Sequence, residues 1–581
     1  MTYSMPRLAS LPYVLAVAIA IGSVTIAPGV AVAAAFRTVA LTGQSAPGAP
    51  DGVNYSNFAN PPVLNDNGQT AFIGGVTGLG VTSANNLGVW SEGAGSLALV
   101  ARKGSQAAGA SVGENFGSFN NLTLNDAGKT AFTGSLAGWS VTTSNNSGSW
   151  SEGSGSLALL ARKGFQAAGM PIGAVFRSFT DVSTEPSLND AGASSFVAAV
   201  TGGGVTSTND SGIWLGEAGA LTLLTRKGDP APGAPAGVSY GGFFEPKPIT
   251  NAGQTAFLGF LTGTGVTTSN NAGLWSGGPG SLALVLRTGN QAAGVADGVN
   301  LAGLTSPALN GGGEIAFRGT LAGAGVTRGN DTGIWSEAAG TIALVAREGS
   351  EAPGAPTGAI FSSFDPPVLN DAGHTAFTAS LAENGVGPES NQGISLEQSG
   401  NLALVARTGA QAPGAPAGTN FKSFSFRRSM NSPALNSAGQ VAFQGLLAGE
   451  TVTGDNDIGL WATDVAGTLQ LVIREGNVLE VAPGDFRTVS GMWFAYNSGN
   501  GDGRPSGFND RGQIAFRASF TDGSQGVFVS NIVAIPEPGA ISLASLALAG
   551  LMLSRERRAL SVRPDQAACP PAGAPCCRPS C

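Results

Sequence analysis

Charge and histidine are both scarce in this 581-residue chain, and each scarcity excludes a class of chemistry. Only 11% of the residues are charged, Lys+Arg 29 against Asp+Glu 37, for a formal net charge of −8. No dense Lys/Arg patch exists to neutralise phosphates, which argues against nucleic acid as a partner. The single histidine, His374, removes metal sites built on imidazoles and argues against a Ser-His-Asp triad. Cysteine is confined to Cys569, Cys576, Cys577 and Cys581, so the body of the chain cannot rely on disulfides. What is abundant is glycine, 89 residues. Glycine costs about 1 kcal/mol per helical position relative to alanine, while 42% hydrophobic content is too high for a disordered chain. An all-β protein with many turns is expected.

The two ends read as addresses. Arg7, an apolar stretch from Leu11 to Ile26 and Ala31-Val32-Ala33 as a small-x-small site form a secretory signal over residues 1–33. A retained membrane anchor is the alternative, but the flanks suit cleavage better. At the other end Ile535-Pro536-Glu537-Pro538-Gly539 precedes an apolar run from Ala540 to Leu553, then Arg555, Arg557 and Arg558. The run is shorter than the roughly 20 residues a helix needs to span a bilayer unaided, and the arginines belong on the cytoplasmic side. This ordered triple resembles the PEP-CTERM sorting signal, carried by Pro536, Glu537, Pro538, Arg555, Arg557 and Arg558. The resemblance implies processing by exosortase, a membrane-embedded transpeptidase-like enzyme of Gram-negative bacteria that make exopolysaccharide. It also implies a chain exported to the cell envelope or extracellular matrix and held transiently in the inner membrane by its C-terminal helix.

The sorting segment spans 533–558, and a Cys/Pro-rich tail, 559–581, follows where members of that family usually stop. Cys-Cys adjacency without a nearby histidine makes this tail an unstructured extension rather than a metal site. Without Arg7 and the segment after Pro538, which remove six basic and two acidic residues, 23 basic against 35 acidic residues remain, a net charge of −12. The exported body is acidic.

Between the addresses, over 34–532, one pattern recurs: Asn-Asp-x-Gly, two residues, Ala-Phe. It runs Asn65 to Phe72, Asn125 to Phe132, Asn189 to Phe196, Thr250 to Phe257, Asn310 to Phe317, Asn370 to Phe377, Asn436 to Phe443 and Asn509 to Phe516, at intervals of 60, 64, 61, 60, 60, 66 and 73 residues. The Asn-Asp-x-Gly turn joins two strands as a hairpin. A second turn such as Asn85-Asn86-Leu87-Gly88 leads to a strand opening on Trp90, and a Gly-rich turn leads to a fourth strand typified by Leu97 to Arg102. Four antiparallel strands in each repeat of about 62 residues is the plan of a propeller blade. Apolar runs and neighbouring Ala-Phe require both faces of each sheet to be covered. The last repeat lacks a fourth strand, and Arg37 to Gly48 at the start matches the end of a repeat, so the first exported strand is predicted to close an eight-bladed β-propeller from Phe36 to about Ile532. The pattern resembles the bacterial tandem-repeat proteins named for Asn-x-x-Gly-x-x-Ala-Phe, which carry varied anchors, PEP-CTERM among them. That resemblance brings no enzymatic activity with it.

Arginine ends the fourth strand in seven repeats, Arg102, Arg162, Arg226, Arg287, Arg347, Arg407 and Arg474, with Leu41 at the eighth place. Such guanidiniums could form a ring for an acidic sugar. Pairing with turn carboxylates such as Asp66 and Asp126, or with backbone carbonyls between blades, is the preferred reading, because residues repeated in every blade serve the repeat. The same reasoning makes Trp90, Trp150, Trp214, Trp275, Trp335 and Trp461 packing residues rather than sugar platforms. Trp139 and Trp493 stand outside that register. The insertion from Phe486 to Arg504, with Trp493, Phe494, Tyr496 and Asp502, is the loop most elaborated for binding. Asn/Asp-rich turns such as Asn330-Asp331 and the Asn497–Gly503 loop could offer calcium oxygens, but none has the spacing of a full ligand loop, and no cofactor is expected. No non-repeated carboxylate pair or nucleophile with its base stands out. A non-enzymatic adhesion or scaffold module associated with exopolysaccharide is therefore expected, with a polysaccharide-active hydrolase or lyase as the alternative.

Overall fold

The computed structural model describes residues 35–534 except 154, 180–186, 245–248, 338–339, 383–386, 388–390, 425–431, 497–503 and 505. The secretory signal, the sorting residues Pro536, Glu537, Pro538, Arg555, Arg557 and Arg558 with their apolar helix, the cysteine tail and Asp502 lie outside the described residues. No helix among the described residues is long and apolar enough to cross a membrane.

Each repeat forms one antiparallel sheet. In blade 1 the inner strand is Val53–Phe58, continued by Val63–Leu64; next come Thr70–Gly78, Leu87–Ser91 and the outer strand Ala98–Arg102. Blades 2 to 7 repeat this order, and in blades 2 and 5 the inner strand runs unbroken over Asn115–Leu124 and Asn300–Leu309. Blade 8 takes its first three strands from the end of the chain, Asp485–Phe494, Ile514–Phe520 and Gln525–Ser530. Its outer strand is Phe36–Leu41, antiparallel to Gln525–Ser530 with Phe36 opposite Ser530 and Leu41 opposite Gly526. Eight blades close into a ring, as the missing fourth strand predicted.

The Ala-Phe pair explains how neighbouring blades fit. On one face of blade 1, Tyr55, Phe58, Phe72 and Trp90 pack against Ala40 and Val527 of blade 8. On the other face Ala71, Ile73, Val89 and Ala101 receive Phe116, Phe119, Phe132 and Trp150 of blade 2. Every interface therefore sets an aromatic face on a small aliphatic one. Trp90 stacks on Phe72 at 6.2 Å and meets Tyr55 edge-on at 5.0 Å, a geometry the ring quadrupoles favour. Its indole N–H, fully buried, donates to Pro47 O of the linker entering its own blade at 2.9 Å.

Strand alternation gives the ring two faces. The turns between inner and second strands, and between third and outer strands, lie on the turn face; the second-to-third loops and the blade-to-blade linkers lie on the loop face. Loop and linker adjoin so closely that a Cβ on Gly78, at φ 140°, would fall 2.2 Å from Gly52 O, which only glycine avoids. Both described ends are on the turn face: Asn531 N–H donates to Ala35 O, and Val533 O accepts from Gln440 Nε2 at 3.0 Å.

Candidate functional site

The repeated Asn-Asp-x-Gly turns meet around the axis on the turn face. Each Asn folds its turn by accepting the N–H four residues on, as Asn65 Oδ1 does from Gln69 at 2.9 Å. Its carboxamide N–H then crosses to the next blade. Asn65 donates to Asn125 O, Asn125 to Asn189 O, Asn189 to Thr250 O, Asn310 to Asn370 O, Asn370 to Asn436 O, Asn436 to Asn509 O, and Asn509 back to Asn65 O, at 2.8 to 3.0 Å. The cycle is broken only where Thr250, lacking a carboxamide, faces Asn310.

A second cycle runs beside the first, in which the following N–H donates to the side chain one blade on. Asp66 N–H reaches Asp126 Oδ1 at 2.7 Å, Asp126 N–H reaches Asp190 Oδ1 at 2.8 Å and Asp510 N–H reaches Asp66 Oδ1 at 2.8 Å. The result is an arc of carboxylates, Asp510, Asp66, Asp126 and Asp190, around the axis. Burial first, then the charges of Asp510 and Asp126, push the Asp66 carboxyl up to about 8. Asp126 and Asp510 are raised as well, again mainly by burial. Among the described residues no group of three or more His, Cys, Asp or Glu side chains is disposed to hold a metal ion. Of the turns that suggested calcium, the 497–503 loop lies outside the described residues, and in the Asn330-Asp331 turn Asn330 Oδ1 accepts from Thr327 N–H at 2.7 Å. His374, read as a solvated turn residue, is half-buried in this ring, its Nδ1 3.3 Å from Asn370 Nδ2, and burial lowers its pKa.

The arginines do not gather around a channel. Arg102, Arg162, Arg287, Arg347 and Arg474 give their Nε–H to the carbonyls of Asn85, Asn145, Asn270, Asn330 and Asn456, in the loop of their own blade, at 2.7 to 3.0 Å. They stand on the loop face, away from the axial carboxylates, because their strand ends there. Arg226 instead lies 3.8 Å from Met170 Sδ, and Arg407 ends its strand at the same register. The six in-register tryptophans are fully buried. In blade 8, Trp493 carries the Arg517 guanidinium 3.9 Å above its ring, and Arg517 Nη1 also donates to Phe58 O of blade 1. Tyr496 OH bonds Gln444 Oε1 of blade 7. Both insertion aromatics are thus engaged in fastening blade 8 to its neighbours.

Blade 2 departs from the repeat in a different way. Glu114 stands where other blades have Val53, Ala174, Val238, Val299, Ala359 or Thr419, and is buried. Arg162 grips it through both terminal nitrogens, at 2.5 and 2.9 Å, and Ser140 Oγ donates to it at 2.7 Å. These bonds hold the Glu114 carboxyl down at about 2, against the cost of burial. On either side of the pair an aromatic ring reaches solvent: Trp139, next to Ser140, and Phe165, whose ring lies 4.8 Å from Arg162 Cζ. Sequence reading singled out Trp139 but missed Glu114 and Phe165; the signal available was Glu114 breaking a run of small apolar residues at one register.

A family model, "Family of unknown function (DUF7453)", matches residues 27–258 and again 247–542. No curated protein matches. Among solved structures, the chain is similar to a puromycin-hydrolyzing peptidase of Mycobacterium tuberculosis at 11% identity and TM-score 0.34, covering 79% of this chain and 58% of that one. It is similar to a puromycin hydrolase at 11% identity and TM-score 0.35, over 79% and 59% of the two chains. The β-propeller domain of the Trilobed protease from Pyrococcus furiosus, described as having an open velcro topology, matches at 8% identity and TM-score 0.35, over 73% of this chain and 94% of that one. The chain spans less than two thirds of the length of the puromycin hydrolases it matches. The structures named are peptidases or peptidase domains, where the sequence led us to expect no enzyme; at 8 to 11% identity the likeness bears on the fold alone.

Proposed function

The chain belongs to the DUF7453 family of unknown function, and from that premise we propose that it is an exported ring displayed at the cell envelope or in the extracellular matrix as an adhesion or scaffold module for exopolysaccharide. The observation that carries this reading is the common exit of both ends. Ala35 and Val533, the two ends of the described ring, both lie on the turn face, which supports a ring held from that side by a PEP-CTERM segment following it. A ring tethered there turns its loop face outward. Closure by its own first strand covers the Gln525–Ser530 edge, which suits a cysteine-free body outside the cell.

The test is fractionation of host cells carrying the full chain or the triple variant Pro536→Ala, Glu537→Ala, Pro538→Ala. The full chain is expected in the envelope or matrix fraction, and the variant, escaping the exosortase-type enzyme, in the inner-membrane fraction at its unprocessed mass. Identical distribution of the two chains overturns the sorting reading. Sedimentation of the full chain with the host's exopolysaccharide tests the scaffold reading.

A further inference from the structure

One arc of the loop face breaks the repeat with large apolar side chains. Leu79 is 91% exposed, Val112 89%, Trp139 88% and Ile172 98%, with Phe165 beside them at 44%. These residues belong to blades 1 and 2 and the linkers that enter blades 2 and 3. Around the rest of the ring the place of Leu79 and Trp139 is held by Gly203, Thr264, Ala324 or Glu450, and that of Val112 and Ile172 by Asp51, Ala236, Asp297, Thr357 or Ala417. Charge changes over the same arc. The residue after the outer-strand arginine is Lys103, Lys163 and Lys227 in blades 1 to 3, but Thr288, Glu348, Thr408 and Glu475 in blades 4 to 7. Lys227 is paired with Asp210 at 3.0 Å. At the register of Asp210, blades 1 and 2 have Asn86 and Asn146, which bring no carboxylate to Lys103 and Lys163. On a body of net charge −12, this is a local basic and aromatic surface.

The arc is held rigidly at its centre. The loop of Trp139 is tied through Ser140 to Glu114, Glu114 to Arg162, and Arg162 to the Phe165 ring. The indole runs along Gly113, where a Cβ would come within 3.2 Å of Trp139 Nε1. An exposed aromatic side chain held in place before binding loses little freedom when a ligand arrives.

We propose that this arc is a binding site for an anionic polysaccharide, with the apolar C–H faces of sugar rings stacked on Trp139 and Phe165 and the sugar carboxylates at Lys103 and Lys163. The inference rests on the scaffold reading and names the surface and ligand class it uses. Charge complementarity selects an acidic chain over a neutral one. A bilayer is a poorer occupant, because the ends that would tether the ring leave from the opposite face. A protein partner is a poorer one as well, because the apolar tips stand singly between polar residues such as Ser140 and Thr142 instead of forming one contiguous patch.

The experiment titrates the full chain with polygalacturonate, dextran and vesicles of 1:1 phosphatidylglycerol and phosphatidylcholine, following tryptophan fluorescence and co-sedimentation. Polygalacturonate is expected to shift the emission, since the in-register indoles are buried and Trp139 is exposed. Trp139→Ala and Lys163→Glu are each expected to weaken binding by about tenfold, dextran to bind at least as weakly as those variants, and added salt to weaken wild type more than Lys163→Glu. Because Trp139 is exposed, its variant should melt like wild type, so lost binding reports the site. The site is overturned if polygalacturonate is not bound, if Trp139→Ala binds it equally well, or if Trp139 instead mediates vesicle binding or self-association. Host exopolysaccharide separates the two levels: wild type and Trp139→Ala sedimenting alike overturns the site and leaves the scaffold reading standing, whereas neither sedimenting overturns that reading.

Discussion

Two carboxylates in this ring, the buried Glu114 and the half-buried Asp66, titrate in opposite directions, and the difference lies in what faces them. Glu114 meets a guanidinium, a hydroxyl and a backbone N–H, so its charge is fully compensated. Replacing it by Gln should leave Arg162 as an uncompensated buried charge and cost about 3 kcal/mol of stability, read by denaturant unfolding. Since its folded pKa of about 2 lies below the unfolded value of about 4.3, its contribution is present above pH 4.3 and is lost as pH falls through about 2. Asp66 meets other carboxylates, Asp510 and Asp126, with Asp190 one blade further. Its folded pKa, about 8, lies above the unfolded value of about 3.9, so its contribution is fully present below pH 3.9 and is lost as pH rises through about 8. The melting temperature of wild type should therefore decline between pH 6 and pH 9 more steeply than that of Asp66→Asn, whose amide oxygen can still accept Asp510 N–H. Parallel declines would assign the alkaline sensitivity to another group.

The turn is the element on which the ring depends, because each one folds itself and holds its neighbour. Asn125→Ala removes the carboxamide oxygen that accepts the Lys129 N–H and the carboxamide N–H that donates to the buried Asn189 O, and should cost about 2 kcal/mol. Thr250→Asn should act in reverse, supplying the missing bond to Asn310 O and adding about 1 kcal/mol, checked by the same unfolding series. Turn chemistry made the hairpins legible in the sequence, and Ala beside Phe made the two covered faces legible. The partner of each Asn was not, because a period tells which residues are equivalent and not which atoms they meet across the ring. The arginines illustrate the same point. Their register was plain, but their direction follows from strand polarity, which places them on the loop face with a backbone carbonyl within reach. Trp139 could be picked out because it stands outside the register of the six repeated tryptophans; Glu114 is one side chain in a variable linker, and its meaning emerges only when Arg162, 48 residues on, closes upon it.

At the scale of the whole molecule, stability comes from closure as well as from the sum of eight blades. Each blade buries its aromatic face only against the small face of the blade before it, so an open array would leave one of each exposed, a situation that makes terminal repeats unstable. Phe36–Leu41 prevents this by pairing with Gln525–Ser530 and placing Ala40 beneath the aromatic face of blade 1. Deleting residues 36–41 should uncover the Gln525–Ser530 edge and turn one cooperative melting transition into several at lower temperature, with a larger radius of gyration in small-angle scattering. A permuted chain separates closure from mere loss of residues. Ala35 and Asn531 are already joined by a hydrogen bond, so a short linker can connect the native ends, with new ends opened at the exposed linker between Thr357 and Gly358. That chain keeps all its strands and their pairings and adds only a small loop-closure cost. It is expected to melt in one transition near that of wild type, and if it instead melts as the deletion does, chain order rather than the closed ring is what makes the eight blades cooperate.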